Sequence, residues 1–251
     1  MRAFGVSHGS TTLTKLAEIT GVSKPTTHRL LASLIDAGMV TRNGRDYQLS
    51  STILELAPAA MGGQYRTIQD TMGPWLTRAY DGTRQSVHLA VLEGSRVVFI
   101  DRIPGPAGPR LQTGIGRHLP AHCTALGKAI LAHGPSGQVD QYLRGRLVRM
   151  TPWSIVSPEG LKEALRVTQD RSYAVSVSEA GKDVACLAVP IRDTEGCVRA
   201  ALSVTARAHS FPEARFAGIL REVVSGVSIP PLGTVASQAS RGQASLQGAM
   251  R

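Results

Sequence analysis

From residue 12 onward the apolar positions fall twice in quick succession at helical spacing. "TLTKLAEIT" sets Leu13, Leu16 and Ala17 on one face, "GVS" interrupts, and "KPTTHRLLASLIDAG" sets Leu30, Leu31, Leu34 and Ile35 on a second face. Ser23 is placed to cap the second helix, Pro25 suits its first turn, and Gly38 is a natural stop. In "MVTRNGRDYQLS" the period changes to two, which predicts a small hairpin turning at Asn43-Gly44. Residues 51–62 read as a short linker helix capped by Ser50 or Ser51, broken by Pro58 and ended by Gly62-Gly63.

Beyond residue 66 helical and alternating patterns mix. "IQDTMGPWLTRAYD" is helical; "SVHLAVLEGSRVVFIDRI" is two strands about Glu93-Gly94; "CTALGKAILAHG" is a helix; "SPEGLKEALRVTQDRSYAVSV" is a capped helix and a strand; "VACLAVPIRDTEGCVRAALSVTA" is two strands about a turn. Strand pairs flanked by helices predict an α+β domain. The run "PPLGTVASQASRGQASLQGAMR" has no period and reads as a disordered tail, 230–251. The expected organisation is a DNA-binding unit over 1–50, a linker helix over 51–66 and a sheet domain over 67–229.

Two helices across a tight turn become a helix-turn-helix when a small residue sits where they cross and a glycine stands about four positions later; Ala17 and Gly21 meet that requirement. The second helix then offers Ser23, Lys24, Thr26, His28 and Arg29 at its leading end, where lysine, threonine and arginine bind phosphates and arginine also reads guanine. Arg42 and Arg45 flank the hairpin tip, as a wing touching backbone or minor groove would.

Net charge agrees in sign without locating the site. The chain carries 28 basic and 18 acidic residues, for +10, which favours anionic partners such as double-stranded DNA. Residues 1–57 hold only six of the cations (Arg2, Lys15, Lys24, Arg29, Arg42, Arg45) against four acids (Glu18, Asp36, Asp46, Glu55). The 3 cysteines, Cys123, Cys186 and Cys197, are too few for a disulfide framework and fit a reducing, cytoplasmic setting, with Cys197 read as a buried small hydrophobe. No apolar run is long enough for a membrane span, so a soluble protein is expected.

Several residue sets suggest chemistry and fail on spacing. "TALGKA" lacks the phosphate loop's first glycine, since His122 stands there, and its hydroxyl after lysine, since Ala129 stands there. His118, His122, Cys123 and His133 lack a C-x-x-C pair, and Pro120 breaks the register between the first two. Neither Cys123 nor Cys186 has an evident base, so no catalytic residue, metal or cofactor is expected.

The run "LTKLAEITGVSKPTTHRLLASLIDAGMVTRNGRDYQLS" resembles the N-terminal domain of transcription factors of the isocitrate lyase regulator (IclR) type. "GIGRHLPAHCTALGKAILA", "YAVSVSEAGKDVACLAVPIRD" and "AALSVTA" resemble that family's later blocks, in the same order. The resemblance implies a two-domain α+β protein: a winged helix-turn-helix, a linker helix, and a GAF-like effector-binding domain with an antiparallel sheet flanked by helices. It further implies a homodimer or tetramer that binds an operator and answers to an organic acid or aromatic catabolite, most often as a repressor. Carried over by block, the effector positions are Leu111 and Leu119 for apolar lining, Ala125 and Leu126 for backbone contacts at a helix start, and Ser176, Cys186, Ser203 and Thr205 for polar contacts. Arg110 and Arg117 flank this pocket, either drawing an anion or as solvated surface residues.

Departures from the family pattern are local. Asp183 stands where relatives usually have glycine, and Ser176 where some have an acid. "MRAFGVSHGS" matches only the second half of the family's first helix, so the alternative reading is an effector sensor whose DNA binding is weakened by truncation.

Overall fold

The computed structural model describes residues 2–6, 9–106 and 114–231. The chain divides into two compact units, Met1–Arg66 and Thr67–Arg251.

In the first unit, helix α1 (Arg2–Val6) is followed by strand β1 (Ser10–Thr12), helices α2 (Leu13–Thr20) and α3 (Lys24–Asp36), and strands β2 (Val40–Asn43) and β3 (Asp46–Leu49). The Thr12 hydroxyl caps α2 and the Ser23 hydroxyl caps α3, while Gly21 turns the chain between them in the left-handed region at φ 69°. Ala3, Phe4, Leu16, Leu31, Val40 and Tyr47 form the core, with Leu13, Ile19, Leu34 and Ile35 packed against it. Leu30, expected on the apolar face of α3, is instead 52% exposed: that face is centred on Leu31 and Leu34, and Leu30 lies beyond its edge.

The hairpin closes on Asn43 paired with Asp46, so its turn is Gly44-Arg45 and not Asn43-Gly44 as the sequence suggests. Gly44 has φ 61° and Arg45 a negative φ, the arrangement of a turn whose first central residue is glycine. β1, which alternation over three residues could not reveal, pairs with β3 to give the sheet order β1-β3-β2.

The helical span α4 (Thr52–Thr83) is two helices meeting at a kink at Gly62 (φ 64°, ψ 155°), where the Gly62-Gly63 pair in the sequence leads one to expect the first to end. Pro58, expected to break the first of these helices, lies within it, and the break falls at Gly62 instead.

The second unit is built on β4 (Ser86–Glu93), β5 (Arg96–Ile103), β6 (His118–Pro120), β7 (Ala174–Val177), β8 (Val184–Arg192) and β9 (Val198–Arg207). These form one antiparallel sheet in the order β6-β5-β4-β9-β8-β7. α5 (Ala125–His133), the short α6 (Gln138–Leu143) and α7 (Pro158–Arg171) cover one face; α8 (Glu213–Ser225) packs on β8 and β9. The core beneath α5 is rich in alanine: Ala90, Ala125, Ala129, Ala188 and Ala201 are all buried. Small side chains let a helix lie close on a sheet, so cavity space must come from where that packing is interrupted. Cys197, expected to be buried, is exposed in the turn before β9. The expected disordered tail lies outside the described residues from 232 onward.

Candidate functional site

The leading end of α3 displays Lys24, His28 and Arg29, all exposed, with Lys24 and His28 one turn apart on the same face. Ser23 and Thr26 are occupied locally: Ser23 Oγ accepts from the Thr26 amide at 3.5 Å and lies 3.0 Å from Thr26 Oγ1. Their hydroxyls shape the end of the helix before they could meet anything else. Thr27 is buried and donates to the Val22 carbonyl at 3.4 Å, which anchors the first turn from below. At the hairpin, Arg42 Nε donates to the Gly44 carbonyl at 2.8 Å and its guanidinium lies over the Tyr47 ring. Arg45, one of the two turn residues, is exposed. Cationic side chains thus stand on both exposed projections of this unit.

In the second unit the sheet and the start of α5 line a small cavity of about 30 Å³. Seven of the eight positions drawn from the resemblance line it: Leu119, Ala125, Leu126, Ser176, Cys186, Ser203 and Thr205. The eighth, Leu111, lies outside the described residues. Strand register explains the grouping. Ser176, Cys186 and Thr205 are successive cross-strand partners on β7, β8 and β9, and Ser203 pairs with His88 on β4 one alternate position along.

α5 supplies the opposite wall. Thr124 Oγ1 accepts from the Gly127 amide at 2.9 Å and donates to the Ala121 carbonyl at 3.1 Å, capping the helix. The next amides, of Ala125 and Leu126, have no acceptor among the described residues, although both residues are buried. Two adjacent buried N–H groups at a helix start suit an anion. Ser203 is 1% exposed, lines the cavity and makes no side-chain hydrogen bond among the described residues. Ser176 Oγ, by contrast, donates to the Cys123 carbonyl at 3.1 Å.

His88 and Phe99 also line the cavity, and the sequence reading missed both. The alternation of "SVHLAVLEG" marks His88 as inward-facing, sharing a face with Ala90, but only the pairing of β4 with β9 sets it beside Ser203. Its Nδ1 lies 3.4 Å from Thr205 Oγ1, which in turn is 3.1 Å from Cys186 Sγ; its ring meets Phe99 edge-on. Burial, with the Arg102 charge adding to it, lowers the His88 pKa to about 4. Burial likewise pushes Cys186 up to about 11 and raises Cys123, so both thiols are held protonated rather than activated.

The histidines weighed as metal ligands are each engaged separately. His118 faces Glu93, His133 Nδ1 donates to the Ala129 carbonyl, and His122 lies between Tyr142 Oη (2.7 Å) and the Val148 carbonyl (3.0 Å). A carbonyl only accepts, so His122 carries its proton on Nε2 and takes the tyrosine proton at Nδ1. The metal-sized cluster among the described residues is Asp193, Glu195 and Cys197, in the turn between β8 and β9. There the Asp193 carboxylate already accepts from the Glu195 and Cys197 amides and from Arg199, and it organises the turn.

A winged helix-turn-helix joined to an antiparallel sheet domain with an enclosed cavity is the build of a ligand-responsive bacterial regulator. Residues 1–44 match the IclR helix-turn-helix domain and residues 64–229 the C-terminal domain of bacterial IclR transcriptional regulators. The chain therefore belongs to the IclR family of transcriptional regulators. It is 31% identical over 214 residues to the HTH-type transcriptional regulator XynR of Escherichia coli, covering 84% of each chain. It is 32% identical to the transcriptional repressor IclR of the same species, covering 79% of this chain and 74% of that one. Among solved structures, Thermotoga maritima IclR aligns with a TM-score of 0.70 at 27% identity, covering 86% of this chain and 89% of that one. An IclR homologue from Microbacterium hydrocarbonoxydans, complexed with 4-hydroxybenzoate, aligns with a TM-score of 0.73 at 25% identity, covering 90% and 92%. Among the described residues no helix is long and apolar enough to cross a membrane.

Proposed function

We propose that this regulator is a repressor whose hold on its operator is controlled by a small organic acid bound in the cavity between the sheet and the start of α5. The observation that carries the reading is the coincidence, in one buried space, of the Ala125 and Leu126 amides and the Ser203 hydroxyl, none of which has a partner among the described residues. Buried donors without acceptors are disfavoured unless a ligand or water completes them. The acid's carboxylate would accept from the two amides, with Ser203 and Thr205 closing around it and Phe99, Leu119 and Val184 packing its apolar part. The Microbacterium homologue is complexed with an organic acid, 4-hydroxybenzoate, which supports the same ligand class here.

On the DNA side, Arg29 reads base edges while Lys24, Arg42 and Arg45 contact phosphates, with Ser23, Thr26 and His28 framing the helix end. A homodimer or tetramer would present two such helices to a pseudo-palindrome. An effector shifts this arrangement only to the extent that it binds one state more tightly than the other. The exposed cations at the leading end of α3 favour operator binding over a sensor that has lost it.

The test is a mobility-shift titration on DNA upstream of the regulator's own gene, with competitor DNA, varied salt and a panel of organic acids including 4-hydroxybenzoate. A sequence-specific, salt-sensitive complex released by one of the acids is expected. A folded protein that gives no specific complex would overturn the reading.

A further inference from the structure

A second cleft in the sheet domain shares no lining residue with the effector cavity and, at about 310 Å³ against about 30 Å³, is far larger. Small-molecule sites begin at about that size, roughly 300 Å³. The end of β8 forms the floor, where Val189 and Ile191 are buried. Arg221 and Val224 of α8 line one wall; His133, the last residue of α5, and Ser172, at the end of α7, line the other. The pairing of β8 with β9 shifts register between Ile191 and Arg192, and an irregularity of that kind re-aims side chains. Both of these consecutive residues line the cleft in consequence.

Two guanidinium groups thus border one space from different elements, Arg192 from β8 and Arg221 from α8. Each spends one donor on the protein: Arg192 Nη1 donates to the Gly196 carbonyl at 2.9 Å, and Arg221 Nη2 to the Arg171 carbonyl. A guanidinium has five N–H groups, so most are left for a ligand. Arg221 also lies over the Tyr173 ring, which steadies its side chain. All 18 aspartates and glutamates of the chain are among the described residues, and of these Asp193 alone lines the cleft. Its carboxylate is already taken by Arg199 at 2.6 Å and by the Glu195 and Cys197 amides. Positive charge is left in excess beside an apolar floor.

We propose that this cleft is a second ligand site, for a small organic phosphate, with the phosphoryl group between Arg192 and Arg221 and the organic part on Val189, Ile191 and Val224. A phosphate monoester carries roughly −1.5 to −2 charge at pH 7 and three tetrahedrally spread oxygens, so two guanidinium forks from different elements can each take their own. A carboxylate has one charge and two oxygens in one plane, which a single arginine satisfies. The effector cavity and this cleft sit at opposite ends of the same two elements: α5 runs from Ala125 to His133, and β8 from Val184 to Arg192.

The test is calorimetric titration of inorganic phosphate and phenyl phosphate into the full chain at pH 7.5, without DNA and at fixed ionic strength. Phenyl phosphate should saturate a site and bind at least about tenfold more tightly than inorganic phosphate, because its ring covers the apolar floor. Arg192→Gln and Arg221→Gln should each weaken it at least about tenfold, the loss of one hydrogen bond to a charged group. Arg192→Lys keeps the charge without the fork; its affinity should fall between those of the parent and Arg192→Gln, an intermediate that a folding defect would not produce. Ser203→Ala, in the effector cavity, and Arg29→Ala, in the DNA-binding unit, should bind phenyl phosphate as the parent does. Loss of binding in either of these would place the phosphate elsewhere and overturn the assignment. Unchanged affinity in folded Arg192→Gln and Arg221→Gln would do the same, as would phenyl phosphate binding no more tightly than inorganic phosphate, or neither probe binding at all.

Discussion

Lys128 Nζ donates to Glu179 Oε1 at 2.6 Å, with the two side chains 3% and 9% exposed. The pair ties the second turn of α5 to the segment after β7, where the Glu179 carbonyl also accepts from Ser154 Oγ at 2.8 Å. The second carboxylate oxygen, Oε2, has no hydrogen-bond partner among the described residues, so Lys128 is its main compensation. Removing one member of such a pair strands a buried charge. Lys128→Met is therefore expected to lower unfolding stability by roughly 3 to 5 kcal/mol, and the double variant Lys128→Met/Glu179→Leu to recover most of that loss. Urea denaturation of the three proteins checks this; equal stability of the two variants would show that the pair is not the compensation.

That relationship marks the limit of what the sequence discloses. Periodicity of 3.6 and 2 reveals α2, α3, the wing and the long strands because each is specified by its own residues, and the capping serines and threonines can be read where they stand. Lys128 reads locally as part of a phosphate-loop-like string; its partner lies 51 residues away and only the packing of α5 on the sheet joins them. His88 is hidden for the same reason, since cross-strand register is a property of two segments together. β1 and β6, of three residues each, are too short for alternation to register and exist because a neighbour offers them hydrogen bonds. The cavity residues named from the sequence came from the family resemblance, not from periodicity.

Stability should fall on mild acidification. His88 has a folded pKa of about 4 against 6.5 for an unperturbed histidine, so between those values the unfolded chain binds a proton that the native one does not. The stabilisation is complete above pH 6.5 and is lost as pH falls toward 4, to a total of roughly 3 kcal/mol. His122 and His133, whose pKa values burial also lowers, act in the same direction. Urea midpoints at pH 7.5, 6 and 5 should decline steadily, and the decline should be shallower in His88→Gln. An unchanged slope in that variant would assign the effect to other groups.

Arg29 and Arg45 should fail differently on DNA. If Arg29 reads a base edge, Arg29→Ala weakens the specific complex by roughly 1 to 3 kcal/mol and relaxes preference at one base position. Arg45→Ala, at the tip of the wing, should weaken operator and random DNA alike and lower the salt dependence by about one phosphate contact. Footprint titrations at several salt concentrations distinguish the two, and a uniform loss in Arg29→Ala would make it a backbone contact.

Asp183 occupies the left-handed region at φ 58°, a backbone conformation that favours glycine. It is held there by partners: its carbonyl accepts from the Ala208 amide at 3.2 Å, and its carboxylate faces Arg207 at 3.6 Å and His209 at 3.4 Å. The ion pairs are exposed and worth under about 1 kcal/mol, comparable to the backbone penalty glycine would relieve. Asp183→Gly is thus expected to be near neutral, while Asp183→Ala keeps the penalty, loses the pairs and should be destabilised by about 1 kcal/mol. Thermal unfolding of both decides it, and an alanine variant as stable as the glycine one would show that the backbone there is unstrained.

Gly127 tests whether the start of α5 holds the effector. A β-carbon built on Gly127 would lie inside the backbone of Ala121, where the 3-10 turn 121–123 crosses the helix. Backbone atoms cannot swing aside as the tip of a flexible side chain can, and the turn is fixed by Tyr142, whose hydroxyl accepts from the His122 amide at 3.1 Å. In Gly127→Ala the first turn of α5 must therefore move, carrying the Ala125 and Leu126 amides with it. A shift of even a few tenths of an ångström weakens hydrogen bonds that depend on alignment. Effector affinity should drop at least about tenfold, the equivalent of one lost net hydrogen bond, while operator binding without effector is retained. Retained DNA binding is the discriminating half of the result, because it shows that the damage is confined to the cavity. If effector affinity in a folded Gly127→Ala protein equals that of the parent, the helix start is not where the acid is held, and the anchoring role passes to the sheet wall around Ser203 and Thr205.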